Sequence, residues 1–409
     1  MEKKSADATT AKVSKFIPED IVFTILSKLP LKSLNRFRCV CKSWSLLFEN
    51  QHLMNMIRRN FLCNLHCCSY YDQASLLLKY LDEAHKDILY SLSGERFENK
   101  IKLDCTNPSA HLYIFRTFGF GSINGILCVH GYSNRGSIVL WNPATQAKKL
   151  IPPSPFESGE LSIPDFAKEF VTVDAFTYLH GFGYDSVMDD YKVICIVSFD
   201  IQVEMGYTFS DSLLEDIYLD ELWEIYSLRS NSWRKLDIDI PTSVYCIEGT
   251  QVYMDGVCHW LCEENSLAGL CLVSFYLSNE VFCITPIPSD EDDCFKFKAS
   301  SINLVVLNES ISLIAFHKET STFHIAILGE LGIKESWTKL FIVGPLSCVE
   351  RPIGVGMKGE IFFQRKDKEL AWFDLSTQVI EELGYKAGGP YTRISLYKEN
   401  ILAIRGISN

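Results

Sequence analysis

An apolar strand, a short polar turn and a second apolar or aromatic strand recur along the chain. They read as "IVLWNPATQAKKLIPP", "WEIYSLRSNSWRKLDI", "VSFYLSNEVFCITPIP", "HIAILGELGIKESWTKLFI" and "LAWFDLSTQVIEEL". Taking Tyr226, Tyr276, Ile325 and Phe373 as equivalent points, the steps are 50, 49 and 48 residues. Short strands bounded by Gly, Asn, Asp and Ser at a fixed period of about 50 residues predict a β-propeller. The step from Trp141 to Tyr226 is 85, lengthened by inserts near 154–178 and 203–221. Residues 74–404 allow six or seven blades, and the long step favours six. Five phrases are visible. The sixth blade is expected to combine the early strands "ASLLLKYL" and "DILYSLSG" with the late "RISLYKENILAI", so that no sheet edge is left unpaired. An open β-sandwich of similar strand content is the competing arrangement.

The front of the chain follows a different rule. Residues 18–29, "PEDIVFTILSKL", put proline at a helix start and two acids in its first turn, where a missing N–H and negative charge are both favourable. Ile21, Val22, Ile25, Leu26 and Leu29 then recur at spacings of three and four. Pro30 stops this helix. "LKSLNRF" predicts a second, exposing Leu31, Leu34 and Phe37, and a third beginning near Cys39 carries Val40, Trp44, Leu47 and Phe48. A helical bridge is expected around 50–65. Three short helices in about forty residues cannot bury their own apolar surface, so the head calls for a partner.

Charge divides the chain in the same place. Residues 15–60 hold eight Lys/Arg against three acids, and residues 1–14 hold three against two. With −12 for the whole chain, residues 61–409 carry −18. A basic head is sometimes a nucleic-acid footprint, but an acidic body of this size repels phosphate, and an acidic protein partner for the head fits both halves. The acidic runs "EDIYLDE" at 215–221 and "DEDD" at 290–293 read as solvated loop charge or as a surface for a basic target. No apolar run reaches the roughly 18 residues of a membrane span, and the start lacks a signal-peptide core. The chain therefore reads as soluble and intracellular, in cytoplasm, nucleus or both.

The 15 cysteines, an odd number, sit in apolar contexts such as "YKVICIVSF" and read as reduced core residues. Cys63, His66, Cys67 and Cys68, with Cys258, His259 and Cys262 as a second half, lack the repeated spacing of a zinc site, so no metal is expected. Asn308-Glu309-Ser310 has no secretory context for glycosylation. Gly354, Gly356 and Gly359 match a dinucleotide fingerprint, but a strand-like segment follows where the mechanism needs a helix, and an inter-strand turn is expected. "GFGSING" at 119–125 fails the spacing. His259 and His324 alternate with apolar neighbours as strand residues. No nucleophile elbow, zinc-protease helix or phosphate loop occurs, so no cofactor is expected and the chain reads as non-catalytic.

The stretch "IPEDIVFTILSKLPLKSLNRFRCVCKSW" closely resembles the F-box, the three-helix motif by which substrate receptors dock onto the Skp-type adaptor of a cullin-based SCF ubiquitin ligase. Ile17 departs mildly from the family, which more often has leucine there. The resemblance puts adaptor contacts at Pro18, Ile21, Ile25, Leu26, Leu29, Pro30, Leu31, Leu34, Phe37, Val40, Cys41 and Trp44, with Lys32, Arg36, Arg38 and Lys42 as a basic rim. An amphipathic helical cap packed on the rest of the chain would show the same pattern. Further on, "NGILCVHGYSNRGSIVLWNPATQAKKLIPPSP", "GFGYDSVMDDYKVICIV", "IYSLRSNSWRKL", "GVCHWL" and "AWFDLSTQVI" resemble the F-box-associated domain of plant F-box proteins, including the kelch-like and S-locus groups.

The resemblance implies an all-α N-terminal F-box followed by an all-β domain, a kelch-like propeller of about six blades. Domains are expected at 15–60 (F-box), 61–73 (linker) and 74–409 (F-box-associated, target-binding), after a disordered 1–14. It implies a Skp-type adaptor, a cullin reached through it and a protein target as partners. Neither nucleic acid nor membrane is among them. The inserts 154–178, 203–221 and 286–300 are the expected target contacts. The alternative is a propeller glycan-binding protein or enzyme carrying a vestigial F-box, which requires a pocket of converging polar groups.

Overall fold

The computed structural model describes residues 18–29, 33, 42–47, 50, 52–53, 56–57, 75–81, 87–104, 115–117, 121–131, 137–155, 171–203, 221–237, 244–246, 251–264, 269–288, 302–307, 309–356 and 358–400. The chain divides into two compact units, Met1–Phe61 and Leu62–Asn409.

In the first unit α1 spans Glu19–Leu26 and α2 spans Lys42–Leu47. Glu19 and Asp20 stand in the first turn of α1, as the proline-acid start requires. A further helical stretch is capped by Asn50, whose Oδ1 accepts from the N–H groups of His52 (2.9 Å) and Leu53 (3.3 Å). Phe23, Leu26, Leu53 and Ile57 form a small buried core, with Val22, Leu29, Leu47 and Met56 packed against it. The predicted third helix corresponds to α2, while the predicted second lies outside the described residues.

The second unit is a six-bladed β-propeller. Blade one joins β1 (Ser75–Leu81), β2 (Asp87–Ser93) and β3 (Asn99–Leu103) to β25 (Gly388–Tyr397), in the order β25-β1-β2-β3. Blade two is β4 (Phe115–Thr117), β5 (Leu127–Gly131), β6 (Ile138–Trp141) and β7 (Lys148–Leu150). Blade three is β8 (Val171–Asp185), β9 (Asp190–Val203), β10 (Leu222–Ser227) and β11 (Ser232–Lys235). Blade four pairs β12 (Val244–Cys246) and β13 (Val252–Met254) with β14 (Val257–Glu264), followed by β15 (Gly269–Tyr276) and β16 (Val281–Pro286). Blade five is β17 (Ile302–Leu307), β18 (Ser310–His317), β19 (Thr322–Leu328) and β20 (Trp337–Val343). Blade six is β21 (Val349–Val355), β22 (Ile361–Arg365), β23 (Glu369–Phe373) and β24 (Ile380–Lys386). All pairings are antiparallel. The expected closure is present, with Leu78 opposite Ile394 and Leu76 opposite Leu396.

Each middle strand is covered on both faces by neighbouring blades, which is why "LCVHG" and "IVLW" are buried throughout and do not alternate. Apolar layers fill the interfaces in turn. Leu77, Val129 and Trp141 lie between blades one and two; Leu140, Phe182 and Tyr226 between two and three; Ile194, Trp260 and Phe275 between three and four. Leu272, Ile311 and Trp337 join four to five, the Phe323 and Phe363 rings meet between five and six, and Leu78, Phe362 and Trp372 close six onto one. The fourth strands are the wet edge of each blade, as the exposed positions of β3, β11 and β24 illustrate.

Trp141→Ala is expected to lower stability by about 3–5 kcal/mol, read as a reduced urea midpoint, because the fully buried indole spans an inter-blade layer. Removing residues 388–409 is expected to increase the aggregated fraction on size-exclusion chromatography relative to the full chain, since it bares the edge of β1.

Candidate docking site

The head offers one apolar surface that its own core leaves uncovered. In α1, Phe23 and Leu26 turn inward at 4% and 1% exposure, while Ile21 and Ile25, one helical turn apart, are 51% and 52% exposed. Pro18 is exposed and Leu29 half-buried. The helix is thus apolar on two sides. Of the residues predicted to contact an adaptor, Pro18, Ile21 and Ile25 lie open, whereas Leu26 belongs to the head's own core. Trp44 falls in α2, where Leu46 is 60% exposed, and Pro30, Leu31, Leu34, Phe37, Val40 and Cys41 lie outside the described residues. Sequence reasoning did not single out Phe23; its spacing of three from Leu26 was the available signal.

In the propeller the polar phrases hold blades together. The Lys192 ammonium donates to Asp185 Oδ2 at 2.9 Å, to the Leu277 carbonyl at 2.7 Å and to Glu280 Oε1 at 3.4 Å, joining blade three to blade four. Asp185 also accepts from the N–H groups of Val187 and Met188, which fixes the β8–β9 turn. Burial alone would raise the Asp185 carboxyl, but the bonds from Lys192 and these backbone groups outweigh it and hold its pKa below the usual value. Asp190 accepts from Ser227 Oγ at 2.5 Å and from the Arg229 N–H at 2.8 Å. Gly183 permits the approach, since a Cβ there would lie 2.4 Å from Leu277 and 2.7 Å from Tyr253. The "GFGYDS…DYKV" phrase therefore both fixes the turns of blade three and ties it to blade four.

"LWNPAT" has a similar task. Asn142 Oδ1 accepts from the Ala144 and Thr145 N–H groups, while Nδ2 donates to the Asn400 carbonyl at 2.8 Å, clasping blade two to the end of the chain. Trp233 and Trp337 donate their indole N–H to the carbonyls of Pro152 (2.7 Å), just past β7, and Pro286 (3.2 Å), the last residue of β16, each reaching the preceding blade.

The chemical candidates resolve into structure. Gly354, Gly356 and Gly359 sit where β21 turns into β22, and Gly354, at φ +155°, lets the chain approach the Ile394 carbonyl of β25. His259 Nδ1 lies 2.8 Å from Ser274 Oγ within blade four, and His324 stacks on His317 with ring centroids 4.0 Å apart. Cys258 and Cys262 are buried and form no disulfide, and burial pushes the Cys258 thiol up, away from a metal-binding thiolate. Cys63, His66, Cys67 and Cys68 lie outside the described residues. Among the described residues no group of three His, Cys, Asp or Glu is arranged for a metal, and no helix is long and apolar enough to cross a membrane.

Residues 156–170, 204–220 and 289–300, the greater part of the three predicted target-contact inserts, also lie outside the described residues. Their flanking strands have a clear polarity. In an antiparallel meander, connections from second to third strand and from one blade to the next leave from the same end, so all three inserts are rooted on one face of the ring.

The chain thus carries a helical head with an open apolar face and, as a separate unit, a closed six-bladed propeller. Residues 16–55 match the F-box domain family, and residues 87–395 match the F-box associated beta propeller domain family. The chain belongs to the plant F-box proteins with an F-box-associated domain. Relatives from Arabidopsis thaliana include F-box protein CPR1, 26% identical over 90% of this chain and 84% of that protein. F-box/kelch-repeat protein At3g23880 is 23% identical over 83% of this chain and 82% of its own length. Solved structures match loosely: an oligogalacturonate lyase in complex with manganese reaches a TM-score of 0.39 at 10% identity over 75% of this chain and 74% of that one, a likeness that carries no argument.

Lys192→Ala is expected to destabilise the propeller by about 3–5 kcal/mol, because it leaves the Asp185 carboxylate buried without its cation. The Asp185 pKa is depressed in the fold, so its contribution is fully present above about pH 4 and is lost as pH falls through the folded value. The melting-temperature gap between the wild type and Asp185→Asn should accordingly narrow as pH drops from about 5 to about 3.

Proposed function

We propose that this chain is a substrate-recognition subunit of an SCF-type ubiquitin ligase. Its F-box docks a Skp-type adaptor and through it a cullin, and its propeller holds a protein target for ubiquitin transfer. The observation that carries this reading is the pairing, on one chain, of an F-box helix with two uncovered isoleucines and a closed propeller. Residues 15–60 are the docking module, 61–73 a linker and 74–409 the target-binding domain. The adaptor contacts are Pro18, Ile21, Ile25, Leu29, Pro30, Leu31, Leu34, Phe37, Val40, Cys41 and Trp44, with Leu26 acting from within by holding the helix in place. The buried cysteines of the propeller, which form no disulfide, suit an intracellular, reducing compartment, and the blades are kelch-like in period, in line with the similarity to F-box/kelch-repeat protein At3g23880.

The subunit does no covalent chemistry. Holding a target lysine beside a charged ubiquitin carrier turns a bimolecular encounter into a local one, and the rigidity of the ring keeps that geometry. Fully burying an isoleucine gains about 1.5–3 kcal/mol, and Ile21 and Ile25 each retain about half of that to give to an interface.

Co-expression with a Skp-type adaptor followed by pull-down tests the reading. Wild type is expected to capture the adaptor; Ile21→Asp/Ile25→Asp is expected to lose capture while keeping the wild-type melting profile, because neither side chain serves the head's core. Leu26→Ala should instead lower head stability by about 2–5 kcal/mol. A soluble wild-type chain that captures no adaptor would retire the ligase reading.

A further inference from the structure

Among the described residues of the propeller two lysines are buried, and each has a carboxylate: Lys79 lies 3.0 Å from Asp87 and Lys192 2.9 Å from Asp185. Lys100, half-buried on β3, has none. Its ammonium lies 3.8 Å from the centre of the Tyr90 ring and 3.9 Å from that of Tyr385, with Tyr80 as a third wall at 6.0 Å. Among the described residues no acid pairs with it, whereas Lys102, two residues on in the same strand, reaches Asp104 at 3.6 Å. Burial lowers the Lys100 pKa, and the ring faces are what the ammonium receives in exchange for the water it loses.

The walls are built independently of this occupant. Leu78 stands opposite Tyr90 and Leu92 opposite Lys100, so both side chains share with Tyr80 the face of blade one that meets blade six. Tyr385 comes across the seam from β24. Tyr80 and Tyr90 stack with centroids 6.0 Å apart and planes 11° from parallel. All three rings pack against the core that joins the two blades, around Leu78, Leu92 and Trp372. Strands and a fixed core thus hold the rings, while Lys100 enters from the edge strand on a flexible stem. All four residues are half-buried, so the cluster reaches the surface. Tyr80 and Tyr385 are each one residue from the end of their strands, at the end of the ring where the long inserts are rooted.

Rings around an ammonium define a class of ligand. A primary ammonium is strongly hydrated, so Lys100 loses much on entering and recovers it on leaving. A quaternary ammonium has no N–H to hydrate, loses less on entering and keeps the attraction to the ring faces. Exchanging the first for the second is therefore favoured by solvation, and no ion pair has to break. A second unmodified lysine has no such advantage over the tethered one, whose effective concentration is high.

We propose that Tyr80, Tyr90 and Tyr385 form a recognition cage for a trimethyllysine of the target, and that Lys100 is its resident occupant, which swings out to water when that group arrives. The inference rests on the target-receptor reading and names the modification that the propeller reads.

The test uses the full chain co-purified with the adaptor and fluorescent nine-residue peptides read by anisotropy. The peptides differ only at the central position, which carries trimethyllysine, unmodified lysine or the neutral carbon isostere of trimethyllysine. Wild type is expected to bind the trimethyllysine peptide at least about tenfold more tightly than either of the others. Lys100→Ala, which empties the cage, should tighten that binding at least about threefold, and Tyr385→Leu should weaken it about tenfold or more. Melting profiles show whether each ring is intact. Because Lys100→Ala removes none of the walls, its comparison with wild type stands even if Tyr385→Leu fails to fold. No preference for trimethyllysine over its neutral isostere, binding indifferent to Lys100→Ala, or binding by Lys100→Ala alone overturns the proposal. Co-sedimentation with phosphatidylcholine vesicles in place of peptide binding does so too, by moving the quaternary ammonium to a lipid. Adaptor capture by the same samples separates the two readings: capture without peptide binding sinks the cage alone, and peptide binding without capture sinks the ligase reading alone.

Discussion

Ring closure is the constraint on which the rest of the structure depends. No blade of this propeller can bury both faces by itself; each needs a neighbour on either side, and the first and sixth blades obtain theirs only because β25 pairs with β1. The entropic cost of joining chain ends this far apart rises only logarithmically with the intervening length, so a closure spanning most of the chain remains affordable against whole apolar layers. Asn142 and Asn400 reinforce the seam, with Asn400 Nδ2 donating to the Asn124 carbonyl at 3.0 Å. Ser122 adds bonds to Lys398 on the same seam.

Apolar layers alone would let blades slide, and polar contacts fix their order. The indoles of Trp233 and Trp337 each find a proline carbonyl on the preceding blade, so one interaction recurs with the repeat. Lys192 is the exception in kind: a buried cation satisfied by a carboxylate, a backbone carbonyl and a second carboxylate drawn from two blades. Such a group tolerates only the arrangement that satisfies it, so it fixes how blade three meets blade four.

Function is then divided between a helix with two apolar sides and a ring with one elaborated face. The inner side of α1 builds the head, and its outer side is left for a partner. The three long inserts are rooted at one end of the ring, where β8 and β9 also overrun their sheet. A rigid scaffold whose long connections share one face is suited to carrying binding loops.

The spacing of Tyr226, Tyr276, Ile325 and Phe373 was enough to predict blades, because a repeated unit leaves a repeated pattern in the chain; it allowed six or seven, the long insert favoured six, and the apolar strands at the two ends of the domain pointed to the closing blade. The F-box helix was equally legible through its proline-acid start and three-four apolar spacing. Two things were not. The periodicity of α1 marks which residues are apolar, not which side faces inward, and only the packing of Phe23 and Leu26 on Leu53 and Ile57 separated core from open face. Likewise the sequence shows an insert near 203–221 but not that β9 outruns β10, since strand pairing is a relation between distant segments. Local pattern determined the elements of this protein; the tertiary structure alone decided which surfaces those elements cover and which they leave for partners, because burial depends on what packs opposite and not on the residue itself.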